Sequence, residues 1–264
     1  MNIFLRELRA NFKSLIIWCG IAILFTTVGF SKFSAFYENP ELLAIMDTIP
    51  PAMLAALDMH AFNLTTVSGF YGIMFGYFSL LLSIAAVMWG SDIISKEERQ
   101  KTVEFSLTLP VTRSRLVMGK TAAALLNCII LLLVTLGTVV ASAGNYQPDA
   151  DFFRFVLISL PAFVLNQLVF LSVGIFLGCA LRQHKKAGST AVSILLICYF
   201  ASMIMGMSEK LLFLRYFTPF KYFDTALMMR ESRIELRFVL LSLAISTIAM
   251  LAAHYTYAKR DLAI

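Results

Sequence analysis

Long apolar runs separated by short polar segments dominate the sequence. Each run is close to the roughly 20 residues that a helix needs to cross the hydrocarbon core of a bilayer. Isolated strands cannot satisfy their backbone hydrogen bonds in lipid, so we expect helices. The pattern therefore predicts an all-α membrane protein in which residues 1–264 form one domain with six transmembrane helices. The runs lie near 15–36, 68–94, 121–143, 155–181, 189–207 and 238–258.

Composition supports the membrane class and excludes others. Hydrophobic residues make up 59% of the chain, well above the share in soluble proteins. The net charge of +6 comes from basic residues that lie mostly between apolar runs, where they set topology, so we predict no nucleic-acid partner. The four cysteines lie inside apolar runs, without the spacing of a zinc site or a disulfide framework.

Basic residues also predict the orientation. Lys and Arg are concentrated before the first run, between the second and third, and after the fourth and sixth, whereas residues 37–67 contain neither. Cytoplasmic segments are enriched in Lys and Arg, so both termini are predicted to be cytoplasmic.

The segment 208–237 opposes this layout, because it would lie outside and yet carries several basic residues. Acidic residues partly offset them, and the aromatic-rich stretch 211–222 is typical of a short helix at a membrane interface. The basic residues are Lys210, Arg215, Lys221, Arg230, Arg233 and Arg237; the acidic ones are Glu209, Asp224, Glu231 and Glu235.

Residues 1–14 have apolar side chains on one helical face and basic side chains on another, which predicts an N-terminal interfacial helix. Such a helix either anchors the chain to the membrane surface or also contacts a cytosolic partner.

The segment 95–120 is the long charged stretch on the predicted cytoplasmic side. Residues 102–109 can form two turns of helix, and Pro110 ends them. A short rod of this kind can transmit movement between a docked protein and the flanking helices. The alternative is a solvated connector without a partner.

This segment resembles the first cytoplasmic loop of the type 2 ABC exporter permeases, which reads roughly Glu-Glu-x-x-Gly-Thr-x-Glu-x-Leu-Leu-x-x-Pro-x-Ser/Thr-Arg, with a Lys entering the next span. Lys101 and Ser106 depart from the pattern. Thr-Pro-Phe-Lys-Tyr-Phe-Asp at 218–224 and Lys-Arg-Asp-Leu at 259–262 extend the resemblance. The matching residues are Glu97, Glu98, Thr102, Glu104, Leu107, Pro110, Thr112, Arg113 and Lys120.

The resemblance implies a bacterial plasma-membrane exporter. In that family the loop is a coupling helix that docks on a cytosolic ATP-binding cassette ATPase, a second permease copy or paralogue completes the transporter, and 208–237 forms short outer re-entrant helices. ATP and Mg would be bound by the partner, with no cofactor in this chain. The implied coupling residues are Glu97, Glu98, Thr102, Glu104, Leu107, Pro110 and Arg113.

Motifs that suggest catalysis are incomplete. Gly119-Lys120-Thr121 resembles the end of a phosphate-binding loop, but Ser114 stands where its first Gly belongs, and no strand precedes it. Glu97 and Glu98 lack the partners of a membrane-embedded protease, and the three histidines are scattered. We therefore predict neither a catalytic site nor a metal site.

Polar and small residues within the spans have two interpretations. Asn166 and Gln167 either join helices or line a translocation path. Gly72 with Gly76, and Gly174 with Gly178, have the spacing that allows close helix packing, which we expect within one subunit, with a contact between two subunits as the alternative. The sequence does not distinguish among drugs, peptides, lipids and glycans as substrates. The alternative to an exporter is a sensor or immunity protein that transports no substrate.

The predicted topology can be tested at position 221. In a variant without the four native cysteines, Lys221→Cys should react with an impermeant thiol reagent in intact cells. Lys185→Cys, on the predicted cytoplasmic side, should react only after permeabilisation. Labelling of position 221 from the cytoplasm alone would refute the six-span layout.

Overall fold

The computed structural model describes residues 3–37, 39, 50, 54, 62–99, 112–181, 184–206 and 209–259. Six of the helices in these ranges are long and apolar enough to cross a membrane, and no strand occurs there. The predicted all-α fold with six spans is therefore confirmed. The six are α1 (Ile3–Phe33), α2 (Val67–Arg99), α3 (Arg113–Ala143), α4 (Ala150–Ala180), α5 (His184–Gly206) and α7 (Leu236–Lys259).

Shorter elements join these helices. The 3₁₀ segment Gly144–Tyr146 connects α3 to α4. Two further 3₁₀ segments, Glu209–Phe217 and Pro219–Lys221, precede the seven-residue helix α6 (Thr225–Glu231). The side chain of Asp224 caps α6 by accepting a hydrogen bond from the backbone N–H of Leu227 at 3.1 Å. This cap satisfies one of the backbone donors that a helix leaves free at its start.

Helices α2 and α4 form the centre of the bundle. In the apolar stretch of each, 67% and 56% of the residues are buried, compared with 22% in α1 and α5 and 28% in α7. The peripheral helices accordingly expose large apolar side chains such as Ile17, Ile197 and Leu251, which suit contact with lipid.

Glycines allow α2 and α4 to approach until their backbones touch. A Cβ atom on Gly174 would lie 2.5 Å from the carbonyl oxygen of Val87, and one on Gly178 would lie 2.7 Å from that of Ser91. A Cβ on Gly90 would likewise overlap the carbonyl oxygen of Leu171. The predicted packing role within one subunit is confirmed for Gly174 and Gly178.

The glycine pair predicted in α2 behaves differently. A Cβ on Gly72 would meet the ring of Phe62, whereas one on Gly76 would have nothing within 4 Å. Among the described residues, Gly76 therefore makes no close helix contact.

The helices alternate in direction, which gives the bundle two ends. We call the end with Glu7, Ile93 and Lys120 the basal end, and the end with Phe33 and Tyr146 the distal end. At the distal end the Tyr146 hydroxyl donates to the carbonyl of Phe30 at 3.0 Å, and Phe33 stacks on Phe70 with ring centroids 4.6 Å apart. This aromatic cluster joins α1, α2 and the segment after α3.

Two helices begin earlier than the apolar runs indicate. Helix α1 starts at Ile3 and continues without interruption into the span, so a separate interfacial helix over 1–14 is not confirmed. Helix α2 extends to Arg99 and α3 starts at Arg113, so the outer parts of the predicted loop 95–120 are helical. Hydropathy identifies the part of a helix suited to lipid, whereas backbone hydrogen bonding continues through its polar turns.

The chain folds back after α5. The Cys198 thiol lies 3.8 Å from the carbonyl oxygen of Phe217, to which it donates a weak hydrogen bond. The ring of Phe220 lies 5.4 Å from that of Tyr199 and 5.0 Å from that of Phe170 on α4. Since α5 continues to Gly206, residues 209–220 return alongside its last turns, and α6 then packs against α2 and α4. The placement of 208–237 at the outer membrane surface stays a prediction.

The contact between α2 and α4 predicts the effect of enlarging Gly174. Gly174→Ala should lower the free energy of unfolding by about 1–3 kcal/mol, because the new methyl group forces two backbones apart. Gly76→Ala is the matched control and should change stability far less, because its methyl group enters open space. Thermal unfolding of both variants in one detergent measures the difference, and equal midpoints would contradict the packing described here.

Candidate functional site

The predicted coupling residues lie around and within the connection between α2 and α3. Glu97 and Glu98 belong to the last turns of α2, and Arg113 is the first residue of α3. The other predicted coupling residues, Thr102, Glu104, Leu107 and Pro110, lie outside the described residues, as does the predicted coupling helix. The structure thus describes the helices on both sides of the connection.

Arg113 joins the start of α3 to the end of α7. Its Nη1 atom lies 3.3 Å from the carbonyl oxygen of Tyr257 and 3.4 Å from that of Ala258. The guanidinium carbon also lies 5.9 Å from the centre of the Tyr257 ring. The last carbonyls of a helix lack intrahelical partners and carry partial negative charge, so a cation there is favourable.

The beginning of α3 is itself fixed by a side-chain cap. The hydroxyl of Thr112 accepts a hydrogen bond from the backbone N–H of Arg115 at 3.3 Å. The cap sets the point at which the connection from α2 becomes helical. Arg113 therefore occupies the first helical position of α3, and Thr112 separates it from the part of the connection that lies outside the described residues.

Lys120 is buried between three helices. Only 1% of this residue is exposed, and its Nζ atom donates a hydrogen bond of 2.7 Å to the carbonyl of Ile93 on α2. The same atom lies 3.8 Å from a carboxylate oxygen of Glu7 on α1, which is 7% exposed. Removing one partner of a buried ion pair leaves an uncompensated charge, so separating these groups is strongly unfavourable.

A second polar link lies beside this pair. The side-chain amide of Asn11 donates to the second carboxylate oxygen of Glu7 at 3.1 Å, and Lys96 donates to the side-chain oxygen Oδ1 of Asn11 at 3.0 Å. The Trp89 indole donates to the Ser14 hydroxyl at 3.0 Å. These contacts lie at the basal end, and those of Lys96 and Trp89 attach α1 to the end of α2.

Sequence reasoning identified Lys120 as the start of a span but missed Glu7 and Asn11. Both belong to the stretch interpreted as an interfacial helix. A faint signal was present, because Glu7 lies one turn before Asn11 within a predominantly basic and apolar segment. An acidic residue on a helix that enters a membrane is expected to pair with a basic residue.

Asn166 and Gln167 lie inside the bundle. Asn166 donates to the Ser83 hydroxyl at 3.2 Å, and Gln167 donates to the carbonyl of Cys128 at 3.3 Å. These contacts join α4 to α2 and α3, as the helix-packing interpretation predicts. A role for these two residues in a translocation path stays a prediction.

Asn127 lies in the same part of the bundle. It is fully buried, and within the described structure neither polar atom of its side chain has a hydrogen-bond partner. The side-chain oxygen of Asn166 also lacks one. The centre of α3 therefore contains a buried side-chain amide whose donor and acceptor atoms are unsatisfied in this conformation.

Ion pairs compensate several charges of the segment 208–237, which we call the returning segment. Glu235 binds Arg215 with one carboxylate oxygen at 2.6 Å and Arg237 with the other at 2.5 Å. The two guanidinium carbons lie 4.3 and 4.8 Å from the centre of the Phe238 ring, and Arg233 pairs with Glu231 at 2.6 Å. The basic residues that oppose the topology rule are thus partly neutralised within the fold.

Tyr222 fixes the same segment against the start of α7. Its ring stacks on Phe238 at 5.3 Å, and its hydroxyl donates to the carbonyl of Tyr216 at 2.6 Å. Burial raises the pKa of Tyr222 to about 12, so the hydroxyl keeps its proton and its donor role at physiological pH.

Comparison with known proteins identifies the family. Residues 1–262 match the family described as ABC-2 family transporter protein, which covers nearly the whole chain. No curated protein matches the chain significantly. Membership of this family implies an ATP-binding cassette partner and a membrane location. With its six apolar helices, the protein belongs to the ABC-2 transporter family and is a multi-pass membrane subunit of an ABC transporter.

Proposed function

We propose that the protein is the membrane-spanning half of an exporter driven by ATP hydrolysis on a separate cytosolic subunit. Two permease chains, identical or paralogous, would enclose the path, and ATP and Mg would be bound by two ATPase subunits. The basal end would face the cytoplasm of a bacterium, with both termini inside. Family membership supports the transporter, and the distribution of basic residues supports the orientation.

The single observation that carries the mechanism is the attachment of Arg113 to the end of α7. In the proposed cycle, closure of the ATPases moves the short helix at 102–109, and α2 and α3 tilt with it. Because Arg113 holds the last carbonyls of α7, the same movement reaches a helix that is distant in sequence. The substrate path between the paired subunits changes shape as a result.

Co-purification tests the existence of the partner. An affinity-tagged chain extracted from native membranes should retain a protein with a complete phosphate-binding loop, and the complex should hydrolyse ATP in the presence of Mg²⁺. Isolation of only a kinase or a sigma-type regulator would instead support a sensor or immunity protein. The tagged membrane protein without its partner should not hydrolyse ATP.

Substitutions within the proposed coupling helix and at the start of α3 test the mechanism. Glu104→Ala should weaken the contact with the ATPase, and Arg113→Ala should release α7 from α3. Both should lower the ratio of substrate moved to ATP hydrolysed, measured in proteoliposomes with the substrate first identified for the wild-type complex. Arg115→Ala is the matched control, because this exposed arginine lies two residues away on the same helix. Unchanged ratios for both test variants would contradict the mechanism.

A further inference from the structure

We infer that the buried pair of Lys120 and Glu7 makes α1 part of the coupling device, as a third helix that moves with the connection between α2 and α3. The inference rests on the proposed function, since it concerns how a movement produced by the ATPase reaches the bundle. Neither residue contacts the proposed partner in this argument; both act by positioning helices.

The location of the hydrogen bond from Lys120 is the first support. Ile93, whose carbonyl accepts it, lies near the end of the apolar part of α2, and the helix continues to Arg99. The bond therefore lies where α2 leaves the bundle towards the connection. On the other side of the connection, Lys120 lies two turns into α3. A single ammonium group thus spans the base of both helices that flank the connection.

Burial of the pair is the second support. The Lys120 and Glu7 side chains are 1% and 9% exposed, so water cannot replace the partner when the helices separate. A movement of α3 that left α1 behind would take the Lys120 ammonium away from the buried Glu7 carboxylate, which is unfavourable. A movement that carries α1 along preserves the pair.

The packing of α1 is the third support. Along its length this helix packs chiefly on α3, and 78% of its apolar stretch is not buried. At the base, a Cβ on Gly119 of α3 would lie 3.3 Å from the Ile3 side chain, so the two backbones are close. Besides α3, α1 contacts α2, through aromatic rings such as Phe33 on Phe70 and through the polar groups at the basal end, so α1 is attached to both helices that flank the connection.

Spin-label distances within the complete complex test the inference. The label positions are Arg9 on α1, Arg115 on α3 and Ser189 on α5, all exposed. Each pair is measured without nucleotide and with Mg-ATP and vanadate. In the wild type, the 115–189 and 9–189 distances should both shift, whereas the 9–115 distance should stay constant.

Lys120→Met removes the charge while keeping most of the side-chain length. In this variant the 115–189 shift should persist, the 9–189 shift should be lost, and the 9–115 distance should become dependent on nucleotide. Glu7→Gln keeps the hydrogen bond of Lys120 to Ile93 and is the milder variant if Lys120→Met fails to assemble; it should reduce the 9–189 shift. Lys13→Met, an exposed lysine on α1, is the matched control and should leave all three distances as in the wild type.

The outcomes separate this inference from the proposed function. If the wild-type 115–189 distance does not respond to nucleotide, the coupling mechanism itself fails. If that distance responds and the 9–189 distance does not, the mechanism stands and the inference about α1 is wrong. A 9–189 shift that survives in Lys120→Met and Glu7→Gln would also overturn the inference.

Discussion

The contact between the backbones of α2 and α4 is the constraint on which the rest of the bundle depends. Glycine at 90, 174 and 178 removes the side chains that would otherwise separate these helices. In lipid the hydrophobic effect does not drive helices together, so van der Waals contact and interhelical hydrogen bonds must do so. Helices α3, α5 and α7 pack on this central pair, and α1 packs chiefly on α3.

The two ends of the bundle are held by different kinds of interaction. At the distal end, aromatic rings of α1 make broad apolar contacts with Phe70 of α2 and with Tyr146, whose hydroxyl also donates to the Phe30 carbonyl. At the basal end, Arg113 and Lys120 make directional contacts to particular carbonyl oxygens. Directional contacts transmit displacement, whereas broad apolar contacts accommodate it. The two ends therefore suit different mechanical roles in a transporter.

Much of the fold could be predicted from the sequence, because lipid imposes a simple rule on length and polarity. That rule located the six spans but not the beginnings of α1 and α3, whose polar turns are helical without being apolar. The spacing of Gly174 and Gly178 indicated close packing, whereas Gly90 has no such spacing and was missed. The hydrogen-bond partners of Asn166, Gln167 and Lys120 depend on which helices are neighbours. The pattern of apolar runs does not predict which helices these are.

Glu235 is the acidic residue that neutralises two of the basic residues of the returning segment. Glu235 serves two arginines at once, each lying over the same phenyl ring. Loss of either arginine leaves one complete pair, whereas loss of the acid leaves two uncompensated positive charges beside the same aromatic ring. The returning segment is therefore more sensitive to loss of Glu235 than to loss of either arginine. A count of basic side chains alone does not reveal this.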